Sequence, residues 1–320
     1  MEKSSSPRLY WSGETAPGVA WPALPGPGQA WGLFAPAHPF SRQEFELALA
    51  RLRAWGLAVK FSPKIFRRSR HLAGSDEERL EVMEELMADP GVGGLWAVRG
   101  GSGCQRLLPG LAARWAAWPP KAILGFSDLT ALHLARLKAA GVIGWHGPMV
   151  TALGRSGARP PTRLPSPDLT GASLADLKAV LFSPVRAGGW DFSPRDVLRP
   201  GLARGPLLGG NLSLLVHLLG SPWLPEAKGA ILLVEDVDEV PYRLDRLLTS
   251  LRQSRLWDLL GGLVFGRFTR CASPAALKSL LRETAEAFAG PVLMNAPFCH
   301  GRLNRAFPLG ARAELSALTP

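Results

Sequence analysis

Residues 122–135 read AILGFSDLTALHLA, and this stretch decides the fold. Its apolar run 122–124 predicts a short buried strand, and the apolar residues from Leu129 onward recur at three and four positions, which predicts a helix. The turn 125–128 between them carries Ser127 at the carboxyl end of the strand. A strand, a sharp turn and a helix in this order are typical of a parallel sheet that is covered by helices.

Two roles are open to Ser127. A serine on such a turn projects its hydroxyl away from the sheet, where the N–H groups that open the next helix can bind a developing oxyanion. Alternatively, Ser127 caps the helix, because Ser-Asp before an apolar run is ordinary N-cap chemistry. The usual nucleophile elbow has a second glycine where this chain has Leu129, which favours the cap. The turn alone does not choose between the two roles.

Further strand and helix units surround this turn. The apolar runs that predict other strands of the same half are 30–35, 57–61, 94–98 and 142–145. Capping boxes that begin at Ser41 and Ser75 predict helices after the first two of these strands. The second half repeats the pattern, with buried strands predicted at 230–234 and 262–266. The sequence therefore predicts an α/β protein, whose ligands bind beyond the carboxyl ends of the parallel strands.

Four segments are predicted along the chain. Residues 1–28 are rich in Pro, Gly and Ser and show no periodicity, so we expect an irregular N-terminal extension. Residues 29–153 are expected to form an N-terminal α/β domain. The proline-rich stretch 154–200, with one short helix near 173–182, is expected to be a linker and peripheral segment. Residues 201–320 are expected to form the C-terminal domain.

The composition limits the classes of partner. Lys and Arg number 37 against 26 Asp and Glu, a difference of 37 − 26 = 11 positive charges in 320 residues. This balance favours acidic partners. However, the densest basic group, Lys64, Arg67, Arg68 and Arg70, lacks the interleaved aromatic residues of a nucleic-acid platform. We therefore expect a solvated basic surface that does not bind nucleic acid.

The cysteines and the apolar runs indicate the compartment. Cys104, Cys271 and Cys299 are far apart and form no Cys-x-x-Cys pair, so neither a disulfide framework nor a metal site is expected. No apolar run approaches the roughly 18 residues that a membrane span requires. The first residues also lack the apolar core of a signal peptide. We therefore expect a cytoplasmic protein with no membrane contact.

Three polar residues at strand ends or in loops are candidates for chemistry. Glu235 and Asp236 directly follow a buried strand, where one of them can orient a histidine or simply cap the loop. His300 lies in a loop flanked by Pro and Gly, where ligand-facing residues concentrate. With Ser127 they match the logic of an activated nucleophile. Of the other histidines, His133 and His217 are expected to be packing residues in helices, whereas the roles of His38, His71 and His146 stay open.

Six motifs, taken together and in order, resemble the LD-carboxypeptidase family of serine peptidases, which includes muropeptide LD-carboxypeptidases and the microcin C self-immunity peptidase. The resemblance runs over about 31–315 and is far more specific than any single motif. The motifs are AVRGG-x-G-x-x-RLLP (97–109), GFSD (125–128), HGPM (146–149), GGNL (209–212), ED (235–236) and PLG (308–310).

The resemblance implies a role for each candidate residue. It places the nucleophile at Ser127, the base at His300 and the carboxylate of the triad at Glu235. It places the oxyanion hole at the backbone N–H groups of Gly101 and Asp128. The implied fold has the serine in the N-terminal α/β domain, the other two triad residues in a smaller C-terminal α/β domain, and the active site between them.

The resemblance also indicates residues that bind substrate and three departures from the family pattern. Arg99, Gly100 and Asn211 are candidates for binding substrate, and Arg106 is either a helper or structural. The family usually has Tyr at the position of Ser102 and Gly at the position of Cys299, where a side chain could crowd the base. The family's early Ala-Pro-Ser is Ala-Pro-Ala at 35–37 here.

The leading hypothesis is therefore a Ser-His-Glu peptidase without metal or organic cofactor. By resemblance it would hydrolyse the amide to a terminal D-amino acid in murein tetrapeptides, a reaction of peptidoglycan recycling. The resemblance also implies a homodimer. The alternatives are a detoxifying amidase of the microcin C immunity type and, from another class, a binding module that keeps the fold without catalysis.

Overall fold

The computed structural model describes residues 6–154, 169–183 and 186–318. The strands of these residues are β1 (Arg8–Thr15), β2 (Ala30–Phe34), β3 (Val59–Lys60), β4 (Val92–Ala97), β5 (Ala122–Gly125), β6 (Gly144–His146), β7 (Gly188–Asp191), β8 (Val197–Arg199), β9 (Leu202–Asn211), β10 (Ile231–Val237), β11 (Gly262–Thr269), β12 (Val292–Leu293), β13 (Phe307–Leu309) and β14 (Ala311–Ser316). The helices are α1 (Arg42–Ala54), α2 (Asp76–Ala88), α3 (Cys104–Trp115), α4 (Thr130–Ala140), α5 (Val150–Gly154), α6 (Gly171–Phe182), α7 (Leu212–Leu218), α8 (Pro241–Arg252), α9 (Arg255–Leu259) and α10 (Pro274–Glu286). The predicted α/β class is confirmed.

The first sheet carries the serine turn. Its strand order is β13-β6-β5-β4-β2-β3, and the five strands from the N-terminal half are parallel, as predicted. The exception is β13 at the edge, which comes from the C-terminal end of the chain and pairs antiparallel with β6. The helices between the strands begin at the predicted serines. Ser41 accepts a hydrogen bond from the Glu44 N–H, and Ser75 and Glu78 form a reciprocal capping box.

The second sheet carries the carboxylates. Its order is β7-β1-β14-β9-β10-β11-β12-β8, in which β9 to β12 are parallel and the outer pairs are antiparallel. With eight strands it is the larger sheet, because β1, β7 and β8, which precede residue 201, join the strands of the C-terminal part. Because β13 belongs to the first sheet and β1 to the second, no single cut in the chain separates the two sheets.

For residues 8–15, the expectation of an irregular N-terminal extension was wrong. Residues 8–15 form β1, an interior strand between β7 and β14. Leu9 and Trp11 face the core while Arg8 and Tyr10 are exposed, which is the period of a half-buried strand. This short alternation is easily missed beside the Pro, Gly and Ser residues that surround it.

The stretch 154–200 is more than a linker. It contains the expected helix, α6, but also β7 and β8, which close the two edges of the second sheet. The part of this prediction that falls on residues 155–168 and 184–185 lies outside the described residues. Helix α3 was not predicted, because Pro109 interrupts its apolar pattern. No helix among the described residues is both long and apolar enough to span a membrane.

Replacing Trp11 by alanine tests the role of β1. Trp11 is 5% exposed and packs edge to face on Trp190 with ring centroids 5.5 Å apart. We expect Trp11→Ala to lower the free energy of unfolding by about 3–5 kcal/mol, because it leaves a cavity between strands. The matched control is Tyr10→Ala, since Tyr10 is 45% exposed on the opposite face of the same strand. Equal losses in the two variants, measured by denaturant unfolding, would contradict this placement of β1.

Candidate active site

Ser127 lies on the turn from β5 to α4 in a strained backbone conformation. Its φ is +63°, in the left-handed region that residues with a side chain seldom adopt. The turn is tight because Gly125 has no side chain: a Cβ there would lie 2.4 Å from Leu129 Cδ2. Leu129 thus occupies space that glycine leaves open. The Ser127 hydroxyl makes no capping hydrogen bond to the helix and is directed elsewhere.

The Ser127 hydroxyl meets His300, and His300 meets Glu235. His300 Nε2 lies 2.8 Å from Ser127 Oγ, and His300 Nδ1 lies 2.7 Å from Glu235 Oε2. With Nδ1–H donating to the carboxylate, Nε2 is free to accept the proton of the hydroxyl. The structure therefore brings His300 together with Glu235, 65 positions away in the chain, and with Ser127, 173 positions away. Phe126 packs against the imidazole, with ring centroids 4.8 Å apart.

Glu235 has no exposed surface, and the end of β10 is built to hold it. Asn211, at the end of the neighbouring β9, lies with Nδ2 3.5 Å from Glu235 Oε1 and donates to Asp236 Oδ1 at 2.8 Å. Asp236 also accepts from the Ser213 N–H at 2.9 Å, in the first turn of α7. Burial raises the pKa of Asp236 to about 6. Glu235 thus faces the histidine, and Asp236 binds the backbone at the start of α7. These are the two roles that the sequence left open.

The surroundings of His300 set its protonation. Burial lowers the pKa of His300, but the charge and hydrogen bond of Glu235, with smaller contributions from Asp236 and Asp238, raise it above its ordinary value of 6.5. His146 also contacts Phe126, with ring centroids 5.8 Å apart, and burial lowers its pKa far below the usual range. His146 is therefore neutral, and the carboxylates decide the charge of His300.

A glycine loop after β4 lies against the serine. A Cβ at Gly100 would lie 3.3 Å from Ser127 Oγ, and a Cβ at Gly101 would lie 2.3 Å from His38 Cγ. Gly101 also has a φ of +125°, which side chains disfavour. Only glycines let this loop approach so closely. The Asp128 carboxylate, next to the serine, is buried and accepts from the Cys104 N–H at 2.8 Å, which fastens the start of α3 to the turn.

The candidates for substrate binding have different surroundings. Arg99 donates from Nη1 to the Pro39 carbonyl at 2.9 Å. Arg106 forms a bidentate pair with Asp76, at 2.9 and 2.6 Å, which is a structural contact between α3 and α2. The Asn211 side chain is buried, and its amide serves the carboxylates and the Leu214 N–H. The substrate-binding role of Asn211 stays a prediction; in the structure its side-chain amide contacts Glu235 and Asp236.

The departures from the family pattern do not displace the histidine. Cys299 is buried, and its φ is not in the left-handed region, so the side chain fits without the backbone angle that glycine would allow. Its Sγ accepts from the Gly301 N–H at 3.1 Å. Ser102 is exposed in the glycine loop.

The predictions for the two helical histidines, His133 and His217, differ in outcome. His133 is a packing residue as predicted, buried with Nε2 3.0 Å from the Gly125 carbonyl oxygen. His217 is exposed on α7 with Nδ1 2.6 Å from the Ser213 carbonyl oxygen, so its prediction as a packing residue was wrong. No group of three or more His, Cys, Asp or Glu side chains that could hold a metal ion occurs among the described residues.

Comparisons with known proteins match most of the chain. The family models for the LD-carboxypeptidase N-terminal and C-terminal domains match residues 32–147 and 204–315. The murein tetrapeptide carboxypeptidase of Pseudomonas aeruginosa is 36% identical over 88% of this chain and 92% of that protein. The microcin C7 self-immunity protein MccF of Escherichia coli is 25% identical over 88% of each.

Solved structures agree with these matches. The muramoyltetrapeptide carboxypeptidase of Oxalobacter formigenes is 28% identical with a TM-score of 0.75, over 90% of this chain and all of that one. The MccF-like protein of Bacillus anthracis has a TM-score of 0.78 at 22% identity, over 93% of this chain and 96% of that one. The second likeness concerns the fold alone.

The geometry predicts how the reactivity of Ser127 depends on pH. A fluorophosphonate reacts with a serine whose proton a neutral histidine can accept, so we expect its rate to rise with pH to a midpoint above 6.5. Glu235→Gln removes the charge that raises the pKa of His300 and leaves its burial, so the midpoint moves to lower pH and the plateau rate falls. Glu226→Gln, an exposed site, is the control. A midpoint that Glu235→Gln leaves unchanged would contradict the pairing.

Proposed function

Because this chain belongs to the LD-carboxypeptidase family, we propose that it is a serine peptidase that removes the terminal D-amino acid from murein tetrapeptides. The observation that carries the proposal is the unbroken hydrogen-bond line from Ser127 through His300 to Glu235. A relative of 36% identity that matches most of both chains is named for this substrate, which supports its transfer.

Each triad residue has one task in the proposed reaction. Ser127 Oγ attacks the carbonyl carbon of the scissile amide while His300 Nε2 takes the hydroxyl proton. His300 then gives that proton to the leaving nitrogen, so the D-amino acid departs as an amine and the peptide stays as an ester on the serine. Water, deprotonated by the same imidazole, hydrolyses the ester. Glu235 keeps the tautomer and stabilises the imidazolium that forms at each step.

We assign the oxyanion hole to the backbone N–H groups of Gly101 and Asp128. The close approach of the glycine loop to Ser127 Oγ and the placement of Asp128 directly after the serine support this assignment. Removal of one such donor costs on the order of a hundredfold to a thousandfold in rate. Gly100 would line the same side of the site, and Arg99 beside it would attract a carboxylate of the substrate.

Location and assembly are part of the same proposal. The three cysteines, Cys104, Cys271 and Cys299, are buried and free, which is usual in a reducing compartment and supports a cytoplasmic location. A homodimer is proposed on the resemblance to the family. The excess of positive charge would attract a substrate that carries several carboxylates.

A microcin-type amidase is the second candidate within the family. The matches to MccF proteins, at 20–25% identity, favour it less than the matches to murein carboxypeptidases at 28–36%. A binding module without catalysis is disfavoured, because it would have no need for a strained serine whose hydroxyl meets a histidine–carboxylate pair.

The direct test is release of D-alanine from murein tetrapeptide. We expect release by the wild type and none from the same peptide ending in L-alanine. Ser127→Ala should lower the rate by at least about a thousandfold, because it removes the nucleophile. Ser12→Ala, an exposed serine on β1, should retain the wild-type rate.

Two results would overturn the proposal. Release that survives in Ser127→Ala would exclude a serine mechanism. Cleavage of aminoacyl sulfamoyl nucleosides without any release from tetrapeptide would assign the chain to the second candidate.

A further inference from the structure

The loop that carries His300 belongs to neither sheet and is held by hydrogen bonds to neighbouring elements. It runs from the end of β12 to β13, over residues 294–306. Before the histidine, its backbone is tied to β11, where the Arg267 N–H donates to the Phe298 carbonyl at 3.1 Å. After the histidine, hydrogen bonds of residues 302–305 run to α6 and its N-cap Thr170, from the Arg305 N–H back to Pro297, and from Cys299 Sγ to the Leu303 carbonyl.

The N-cap and first turn of α6 make three hydrogen bonds to this loop. The Thr170 N–H donates to the Arg302 carbonyl at 2.9 Å, and the Asn304 N–H donates to Ser173 Oγ at 2.9 Å. The Ser173 hydroxyl in turn lies 3.0 Å from Thr170 Oγ1 and 3.4 Å from the Arg302 carbonyl oxygen. Two of these groups are main-chain N–H donors, so the loop is held by its backbone as well as by side chains.

An ion pair completes the contact. Arg305 forms a bidentate pair with Asp176, at 2.6 and 3.1 Å, and about a quarter of each side chain is exposed. Ser173 itself has no exposed surface. A buried hydroxyl must find its hydrogen-bond partners inside the protein. The Ser173 hydroxyl finds them in the histidine loop and in its own helix cap.

The other end of α6 is anchored on the sheet that carries Ser127. Leu177, Val180 and Leu181 are buried in a core cluster that includes Trp31 and Trp96 of that sheet. The Leu181 carbonyl accepts from Trp31 Nε1, on β2, at 3.4 Å. Helix α6 therefore spans from the sheet of the nucleophile to the loop of the base.

We propose that α6 is a positioning element for catalysis, which through Ser173 and Asp176 holds the His300 loop at the distance that the Ser127–His300 hydrogen bond requires. This inference rests on the proposed function for its role in turnover, but the reactivity of Ser127 tests it independently of any substrate. An imidazole that drifts by about 1 Å from its partner loses much of its ability to take the proton.

The test compares three variants in their reaction with a fluorophosphonate, in which Ser127 Oγ displaces fluoride and the hydroxyl proton leaves through His300. We expect Ser173→Ala and Asp176→Asn to lower the rate constant of labelling by about tenfold or more. The matched control is Glu283→Gln, which breaks an ion pair of the same kind, with Arg252 at 2.9 Å between α8 and α10. With murein tetrapeptide, kcat should fall in parallel while KM changes by less than about twofold.

The rate constant and the final extent of labelling separate positioning from a merely structural role. A variant that is only less stable loses labelled protein at the end point but keeps the rate constant. Asp176→Asn decides the matter if Ser173→Ala folds poorly, because Asp176 is partly exposed. The proposal would be overturned if the labelling rate constant of Asp176→Asn equals that of the control Glu283→Gln. If the wild type is labelled but releases no D-alanine, the proposed function fails. Slower labelling of the variants would still support the positioning role of α6.

Discussion

The buried carboxylate of Glu235 is the constraint on which the site depends. A carboxylate without exposed surface is stable only when its oxygens are paired, and here one oxygen meets His300 and the other lies near the Asn211 amide. This pairing requires β9, β10 and the His300 loop to converge at one point. It also raises the pKa of the histidine above its ordinary value, against the effect of burial.

The nucleophile is brought to this point by backbone geometry. Ser127 adopts φ +63° on the turn between β5 and α4, where the glycine loop lies against it. Such strain is tolerated where the surroundings over-determine the conformation. Gly125 and Gly101 approach their neighbours more closely than a side chain would allow, and a Cβ at Gly100 would lie in tight contact with Ser127. The imidazole of His300 thus connects the strained Ser127 to the paired carboxylate of Glu235.

Local patterns predicted the elements well, whereas distant pairings could not be predicted. The strand–turn–helix around Ser127 and the capping box at Ser75 depend on neighbouring residues and appear as expected. The strands β1 and β13 join sheets built from the other end of the chain, which no local period reveals. The three candidate site residues could be named from strand ends and motif order. The contacts of Asn211 with Glu235 and Asp236, and the contact of α6 with the histidine loop, depend on tertiary packing. They became visible only in the structure.

The central claim is that Ser127, His300 and Glu235 act as one unit, and a double-mutant cycle tests it most directly. The measurement is kcat/KM for release of D-alanine by His300→Ala, Glu235→Gln and the double variant. If the carboxylate acts only through the imidazole, the double variant loses no more than His300→Ala alone, within about twofold. Losses that multiply in the double variant would show that Glu235 and His300 act independently and would contradict the account.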